Sequence, residues 1–400
     1  MRNRLFFPVF VLLLAVPLVL TGGKKDKTPS AEEEVVEDTT VVSASGDEID
    51  PWILETRKGL EKYRGSIDPS FKGPDGQTPT WDTELVLTVA EVEKLRKGNY
   101  KVAFNMDGAQ GEYHVAMTKG IKDTCEYLGM ELVVVTDAGF DPAKQKSDIE
   151  TTLALKPDII ISAPVDKVSA AEAFRPAVEA GVKLVFWSNQ PAGYKHGREF
   201  VGISTSMPYD QGVFMAQKLG EAVGDDGKIG IIYWEQDFWI VNMIDDIVRE
   251  KIAELYPGIQ VVADEGFADL ADAESVAASM ILRFPDIDGF YVSFNFPGQL
   301  AALACKAAER DDIVIVTQGV DVPILMKLLT PGENIAAVIT DTPYLIGVNH
   351  VLLGAFGLLG KTAPEYTLSP SAWYTADNLE ELWDLAMRIP LPEDLKNLAR

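Results

Sequence analysis

Four segments of this chain recur about 127 to 131 residues later, and in the same order. Lys101 of KVAFN matches Lys228 of KIGIIY. Gly139-Phe140 matches Gly266-Phe267, and Pro157-Asp158-Ile159 matches Pro285-Asp286-Ile287. Val182 of VKLVF matches Ile313 of IVIV. Each match falls on the same kind of predicted element, so the chain reads as two similar units rather than one large core.

Within each unit the pattern alternates. The runs KVAFN, ELVVVT, DIIIS and VKLVFW are short and almost wholly apolar, as strands buried on both faces must be. Helical patterns over 113–128, 142–155 and 168–180 separate them. Strand–helix repetition predicts an α/β fold with two similar doubly wound parallel-sheet lobes and right-handed crossovers. A third stretch follows, with a strand at 335–339, a helix at 343–359 and a tail carrying Trp373, Tyr374 and Trp383.

Ahead of this core lie three segments. Arg2 and Arg4 precede an apolar run over 5–20 broken by Pro8 and Pro17, and then come Thr21, Gly22 and Gly23. Residues 1–23 read as a secretory signal, with an uncleaved anchor as the alternative. A lipoprotein signal would place Cys where Gly23 stands, so no lipid attachment is expected there. Residues 24–50 read as a disordered acidic linker, since eight acids and no Lys or Arg fall between 32 and 50. Residues 51–99 read as an accessory segment: a helical pattern at 51–63, turn chemistry in GPDGQTPTWDT, and a capping box of Thr88 and Glu91 before a helix ended by Gly98.

The formal charge is −25, from 36 basic and 61 acidic residues, which excludes a broad nucleic-acid footprint. Three His and two Cys exclude a zinc ribbon or disulfide scaffold, and no cofactor or metal is expected. Cys125 and Cys305 sit on apolar helical stripes and read as buried thiols, with a disulfide as the minor alternative.

In open α/β sheets ligands bind beyond the carboxyl ends of the strands. The candidates there are Asp107, Tyr113, His114 and Asn189 in the first lobe. In the second they are Trp234, Phe238, Trp239, Asn242, Asn295 and Asp321, with Asp341 after the strand at 335–339. Aromatics, amides and carboxylates with almost no Lys or Arg suit a neutral polyhydroxy ligand: rings pack on C–H faces while Asp and Asn meet hydroxyls. Several have plainer readings. Asp321 and Asp341 can cap the helices they precede, Asn189 and Asn295 can serve turns, and His114 can be a surface residue. Trp187 reads as core, and Asp245-Asp246 as a solvated helix face. Among enzymes, a nucleotide-binding Gly-rich loop and a nucleophile elbow are both missing.

The span from Lys101 to Arg388 resembles the periplasmic sugar-binding proteins of ABC importers, of the ribose-binding type. Four motifs carry this: KVAFN followed by Tyr113-His114 and KGIK; IISAPVD; VTQGVDV with Asp321; and IAAVITDTPYLIG, with Asp341 at the hinge position. The resemblance implies three crossover strands near Ser206, Asp341 and Ser369. Lobe one is then 100–206 plus 342–368, lobe two 207–341 plus 369–388, and 389–400 a C-terminal tail. It also implies a monomer outside the cytoplasm that closes over a monosaccharide or polyol and delivers it to an ABC permease. A sugar receptor for a chemoreceptor or histidine kinase is the alternative, and a secreted carbohydrate-active enzyme a more distant one. The Asp-Arg pair of ribose binders is Ser188-Asn189 here, and the Arg expected on the helix after WEQDFW is Ile244, near Asn242. These departures point to another sugar, a deoxy sugar or a polyol.

Overall fold

The computed structural model describes residues 46–108, 111–236 and 239–399. The apolar run, Gly23, most of the acidic linker and Phe238 lie outside the described residues.

The first part of the chain runs α1 (Pro51–Glu55), β1 (Pro79–Trp81), α2 (Val89–Arg96), β2 (Lys101–Met106), α3 (Gly111–Tyr127), β3 (Glu131–Asp137), α4 (Pro142–Ala154), β4 (Ile159–Ser162), α5 (Lys167–Ala173), α6 (Arg175–Glu179), β5 (Lys183–Trp187) and β6 (Gly202–Ser206). Then come α7 (Pro208–Val223), β7 (Lys228–Trp234), α8 (Trp239–Leu255), β8 (Gln260–Phe267), α9 (Ala273–Arg283), β9 (Gly289–Val292), α10 (Asn295–Ala307), β10 (Val314–Gln318), α11 (Val322–Leu329) and β11 (Ile335–Thr340). The last elements are α12 (Pro343–Leu359), β12 (Tyr366–Ser369), β13 (Ala372–Tyr374), α13 (Leu379–Met387) and α14 (Glu393–Leu398).

These strands form two sheets. The first has seven strands in the order β1-β12-β6-β5-β4-β2-β3, and all its pairings are parallel. The second has six, in the order β13-β11-β10-β9-β7-β8, parallel except where β13 meets β11. The chain leaves the first sheet after Ser206, returns toward it between Thr340 and Pro343, and leaves again between Ser369 and Ala372. The fold is therefore the α/β, doubly wound architecture read from the sequence, with one antiparallel edge strand added.

Local signals place the helices. Asp141 Oδ1 accepts from the amides of Ala143 and Lys144 at 2.8 and 3.2 Å, with Pro142 opening α4. The capping box is present on α2: Glu91 N–H donates to Thr88 Oγ1, and Thr88 N–H to Glu91 Oε2. The stretch 168–180 breaks into α5 and α6 at Phe174, because Pro176 has no amide to continue the ladder. The pattern at 51–63 likewise stops at Glu55, and Gly59 turns left-handed (φ +83°) four residues on.

Helix α12 is apolar apart from Asn349 and His350 and is buried continuously from Pro343 to Phe356. It packs against α3 through two glycines. A Cβ on Gly120 would lie 2.1 Å from Tyr344 O, and one on Gly347 would lie 2.1 Å from Met117 O. Backbone therefore meets backbone where these helices cross.

The accessory segment is built into the molecule. Ile53, Leu60, Leu85 and Leu87 join the core around α3 and α12, and β1 pairs with β12. Asp82, fully buried, takes a bidentate pair from Arg64 at 2.9 Å and faces Arg57 Nε at 3.5 Å. The Tyr63 ring meets Trp373 of β13 edge-on at 6.2 Å, so this segment also touches the second sheet.

Cys125 and Cys305 are buried free thiols. Asp245 corrects the reading of Asp245-Asp246 as a solvated face. It is buried and accepts from Tyr291 Oη at 2.6 Å and Ser293 Oγ at 2.7 Å, while Asp246 is exposed. Burial pushes its carboxyl up to about 6. Ser293 Oγ also accepts from Trp234 N–H at 3.3 Å, so one buried carboxylate ties the carboxyl ends of β7 and β9 to α8.

Candidate functional site

The first turn of α3 brings the two sheets' strand ends together. Gly111, Glu112, Tyr113 and His114 open this helix directly beyond β2. From the other lobe, Asp321 reaches this turn: a Cβ on Gly111 would lie 2.5 Å from its Oδ1, and Glu112 hydrogen-bonds it. Helix N-termini favour carboxylates, which suits this docking. Burial, then the neighbouring Glu112, raises the Asp321 carboxyl to about 6.

Asp321 stands at the N-cap position of α11, but its side chain makes no cap bond. It accepts instead from Asn295 Nδ2. Asn295 opens α10 and packs against Gly319, whose backbone is left-handed (φ +149°) and whose Cβ would lie 2.6 Å from that of Asn295. Only Gly admits this approach. The capping reading of Asp321 is thus replaced by an amide–carboxylate pair held in place by a glycine.

Asp341 follows β11 and precedes α12, whose N-cap is Thr342. It accepts from Gln211 Nε2 and is hydrogen-bonded by Tyr113 and Ser206. Burial raises its carboxyl to about 6 against the pull of those three donors. Asp341 therefore joins the first strand-end helix of one lobe to the crossing strands.

Tyr113 also anchors an aromatic group. Its ring stacks on Trp187 at 5.6 Å and 23°, and His114 meets Trp187 edge-on at 5.5 Å. Trp187, read as core, packs half-buried at the end of β5 against the core around α3 and α12, and also meets these two rings. Burial and the adjoining Asp341 push the Tyr113 phenol well above its ordinary value.

Asp107 is buried beyond β2, accepting from Gly108 N–H at 2.9 Å, and burial raises its carboxyl to about 6. Asn189 lies in the turn after β5, next to Ser188 in a left-handed backbone (φ +60°). Its Oδ1 is buried with no hydrogen-bond partner among the described residues. The accessory segment props this turn, since Gln77 Nε2 donates to Gln190 Oε1 at 2.9 Å.

The expected aromatic wall after β7 is divided. Trp234 meets Phe294 edge-on at 5.7 Å and packs on the core of its own lobe. Trp239 opens α8 and packs on the core of the first lobe, and Asn242 is half-buried one turn further on. Gln211 and Glu112 were missed. Neither stands directly after a strand, and only the fold brings Gln211 to Asp341.

No Lys or Arg acts on Asp107, Asp321 or Asp341 among the described residues. The arrangement thus offers acceptors and aromatic faces, contributed by two lobes and the segment that crosses between them.

A family model described as "Periplasmic binding protein domain" matches residues 102–351, well over half of the chain. The chain belongs to the periplasmic binding protein family. Two curated relatives of this periplasmic binding protein are 24% identical to it. One is a putative rhizopine-binding protein of Rhizobium meliloti, matched over 45% of this chain and 57% of that one. The other is the ABC transporter periplasmic-binding protein YphF of Escherichia coli, matched over 44% and 55%. The matches span little more than half the length of either relative.

Among solved structures, an ABC transporter solute-binding protein from Agrobacterium vitis, bound with α-D-tagatopyranose, superposes with a TM-score of 0.63 at 20% identity. It covers 74% of this chain and 100% of that one. A periplasmic ribose ABC transporter protein from Conexibacter woesei superposes with a TM-score of 0.64 at 18% identity, covering 72% and 98%. At such identities the likeness shows the shared fold, a type I periplasmic binding protein.

Proposed function

We propose that this periplasmic binding protein is the extracytoplasmic solute-binding component of an ABC importer. It takes a neutral sugar or polyol between its lobes and presents it to a membrane permease. What supports the reading is the make-up of the candidate set: the carboxylates Asp107, Asp321 and Asp341 with the Tyr113–Trp187 stack, and no cation acting on the carboxylates among the described residues. An anionic ligand would call for Arg, and no Lys or Arg acts on these carboxylates among the described residues. Relatives named for rhizopine binding and for ABC transport, and neighbours holding tagatose and D-allose, support the class.

In this reading the ligand's hydroxyls replace the bonds the site residues now make with one another. Closure is driven by the ligand bridging both lobes at once, because a ligand shifts a conformational balance only by its differential affinity. Residues 1–23 serve export as a secretory signal. The protein works as a monomer and without chemistry of its own.

A thermal-shift screen of D-tagatose, D-allose, D-arabinose, D-ribose and allitol tests the reading. A ligand at about 100 times its Kd adds about 2.7 kcal/mol of stability, several degrees in Tm for a protein of this size. Shifts with amino acids, peptides or anions alone would sink it.

A further inference from the structure

The repeat that relates the two lobes breaks at one aromatic. Gly266-Phe267 in the second lobe is the counterpart of Gly139-Phe140 in the first. There β8 runs on through Phe267, which is 2% exposed and meets Phe294 edge-on at 6.3 Å. In the first lobe β3 stops at Asp137, Gly139 turns left-handed (φ +58°), and Phe140 follows it there (φ +60°). The Phe140 side chain is 52% exposed. A bulky residue in the left-handed region is strained, and half-exposed aromatic surface adds little to the fold.

The position is nonetheless well held. Phe140 N–H donates to Asp107 O at 2.7 Å, and a Cβ on Gly108 would lie 2.3 Å from the ring. Because β2 and β3 pair in parallel up to Met106 and Asp137, the loops beyond them leave the sheet along one edge. That edge carries Asp107 and the start of α3. The ring therefore stands over Gly108, next to Asp107, with half its surface uncovered. Strain kept where half the ring stays uncovered points to a role outside the fold.

We propose that Phe140 is a ligand-specificity residue, whose ring forms an aromatic wall at the rim of the interlobe cleft against the C–H face of a bound cyclic sugar. The proposal rests on the reading of the cleft as a sugar or polyol site. The ring covers the apolar face of a pyranose or furanose while Asp107 lies beside it for hydroxyls. An open-chain polyol presents no such face and gains less. Specificity for ring sugars over alditols then resides in this one residue.

Calorimetric titration with D-tagatose, D-allose, D-arabinose, D-ribose and allitol, on the wild type and two variants, tests this. Phe140→Asn suits the left-handed backbone and removes the ring, and Phe140→Tyr keeps it. For a ring sugar bound by the wild type, Phe140→Asn should bind about tenfold more weakly and Phe140→Tyr within about threefold. Allitol affinity should change less. The ligand-free Phe140→Asn protein should melt no lower than the wild type, since the strained conformation suits Asn. Unchanged sugar affinity in Phe140→Asn overturns the proposal, whether Tm then falls, which assigns the ring to packing, or uptake falls, which assigns it to a partner surface. A wild type that binds none of the five probes overturns the cleft reading itself, and this proposal with it.

Discussion

Asp321 and Asp341 each hold a place that no packing demand explains. Both are carboxylates raised to about 6 by burial, and both are satisfied by polar side chains rather than cations. Asp321→Ala should leave the fold intact and weaken ligand binding by about tenfold to a hundredfold, the equivalent of about 1.5–3 kcal/mol for a hydrogen bond to a charged group. Calorimetry reads the loss, with circular dichroism as the folding control. Equal affinity in Asp321→Ala and Asp341→Ala would place the site elsewhere. Asp245 has the opposite profile. It is structural, and Asp245→Ala leaves the Tyr291 and Ser293 hydroxyls buried without their acceptor. A loss of about 2–4 kcal/mol, read from denaturant midpoints, is expected, with binding impaired only through the strand ends it ties. At this scale the sequence was partly legible. Strand-end position singled out Asp321, Asp341, Asn295 and Tyr113, because a parallel sheet sends all its carboxyl ends one way. It could not find Gln211 or Glu112, whose roles depend on helices docking across lobes. It also misjudged Asp245, because an exposed and a buried carboxylate look alike in an amphipathic stretch.

Among the elements, α3 and α12 meet backbone to backbone, and each borders the candidate site: Tyr113 in the first turn of α3, and Asp341 just before α12. An exposed helical Gly→Ala substitution usually adds about 0.5–1 kcal/mol. Here the new methyl would sit about 2 Å from a carbonyl oxygen, and overpacking of this kind costs about 1–3 kcal/mol. Overpacking wins, so Gly347→Ala should lower Tm and also weaken binding by moving Tyr113 from Asp341. A rise in Tm would refute the close crossing. The accessory segment invites a parallel test. Asp82→Ala strands two buried guanidinium groups, Arg57 and Arg64, and should cost about 3–5 kcal/mol. Element types were the most readable level, since runs such as IIIS and caps such as the Thr88–Glu91 box act locally. The breaks at Gly59 and Phe174 were not seen, because there one backbone-specific residue outweighs a favourable periodicity.

For the whole molecule, acidity works in two directions. Five carboxyls (Asp107, Asp210, Asp245, Asp321 and Asp341) are raised to about 6 chiefly by burial. With folded values above unfolded ones, the native state binds more protons between about 4 and 6, so their effect stabilises the fold as pH falls. His350, fully buried in α12, is lowered to about 3 by burial. Its effect runs the other way and is lost as pH falls below its unfolded value near 6.5. Among the described residues five such groups outweigh one, and the net charge of −25 shrinks on the same path. Tm should therefore rise from pH 8 to about pH 5 and fall below about pH 4, while affinity for the proposed sugar or polyol ligand declines below pH 6 as the candidate carboxylates protonate. A steady fall in Tm from pH 7 to pH 5 would contradict this balance. The order of strands in the first sheet carries a further consequence, for biosynthesis. β12 is inserted between β6 and β1, so that Pro79, near the start of the described chain, pairs with Tyr366, near its end. No contiguous fragment makes this lobe. A chain still on the ribosome short of Tyr366 carries β6 with an open edge and β1 with no neighbour, which is the geometry that recruits other chains. Nascent polypeptides truncated before residue 366 should remain protease-sensitive and bind holdase chaperones, and those extended past Tyr374 should not.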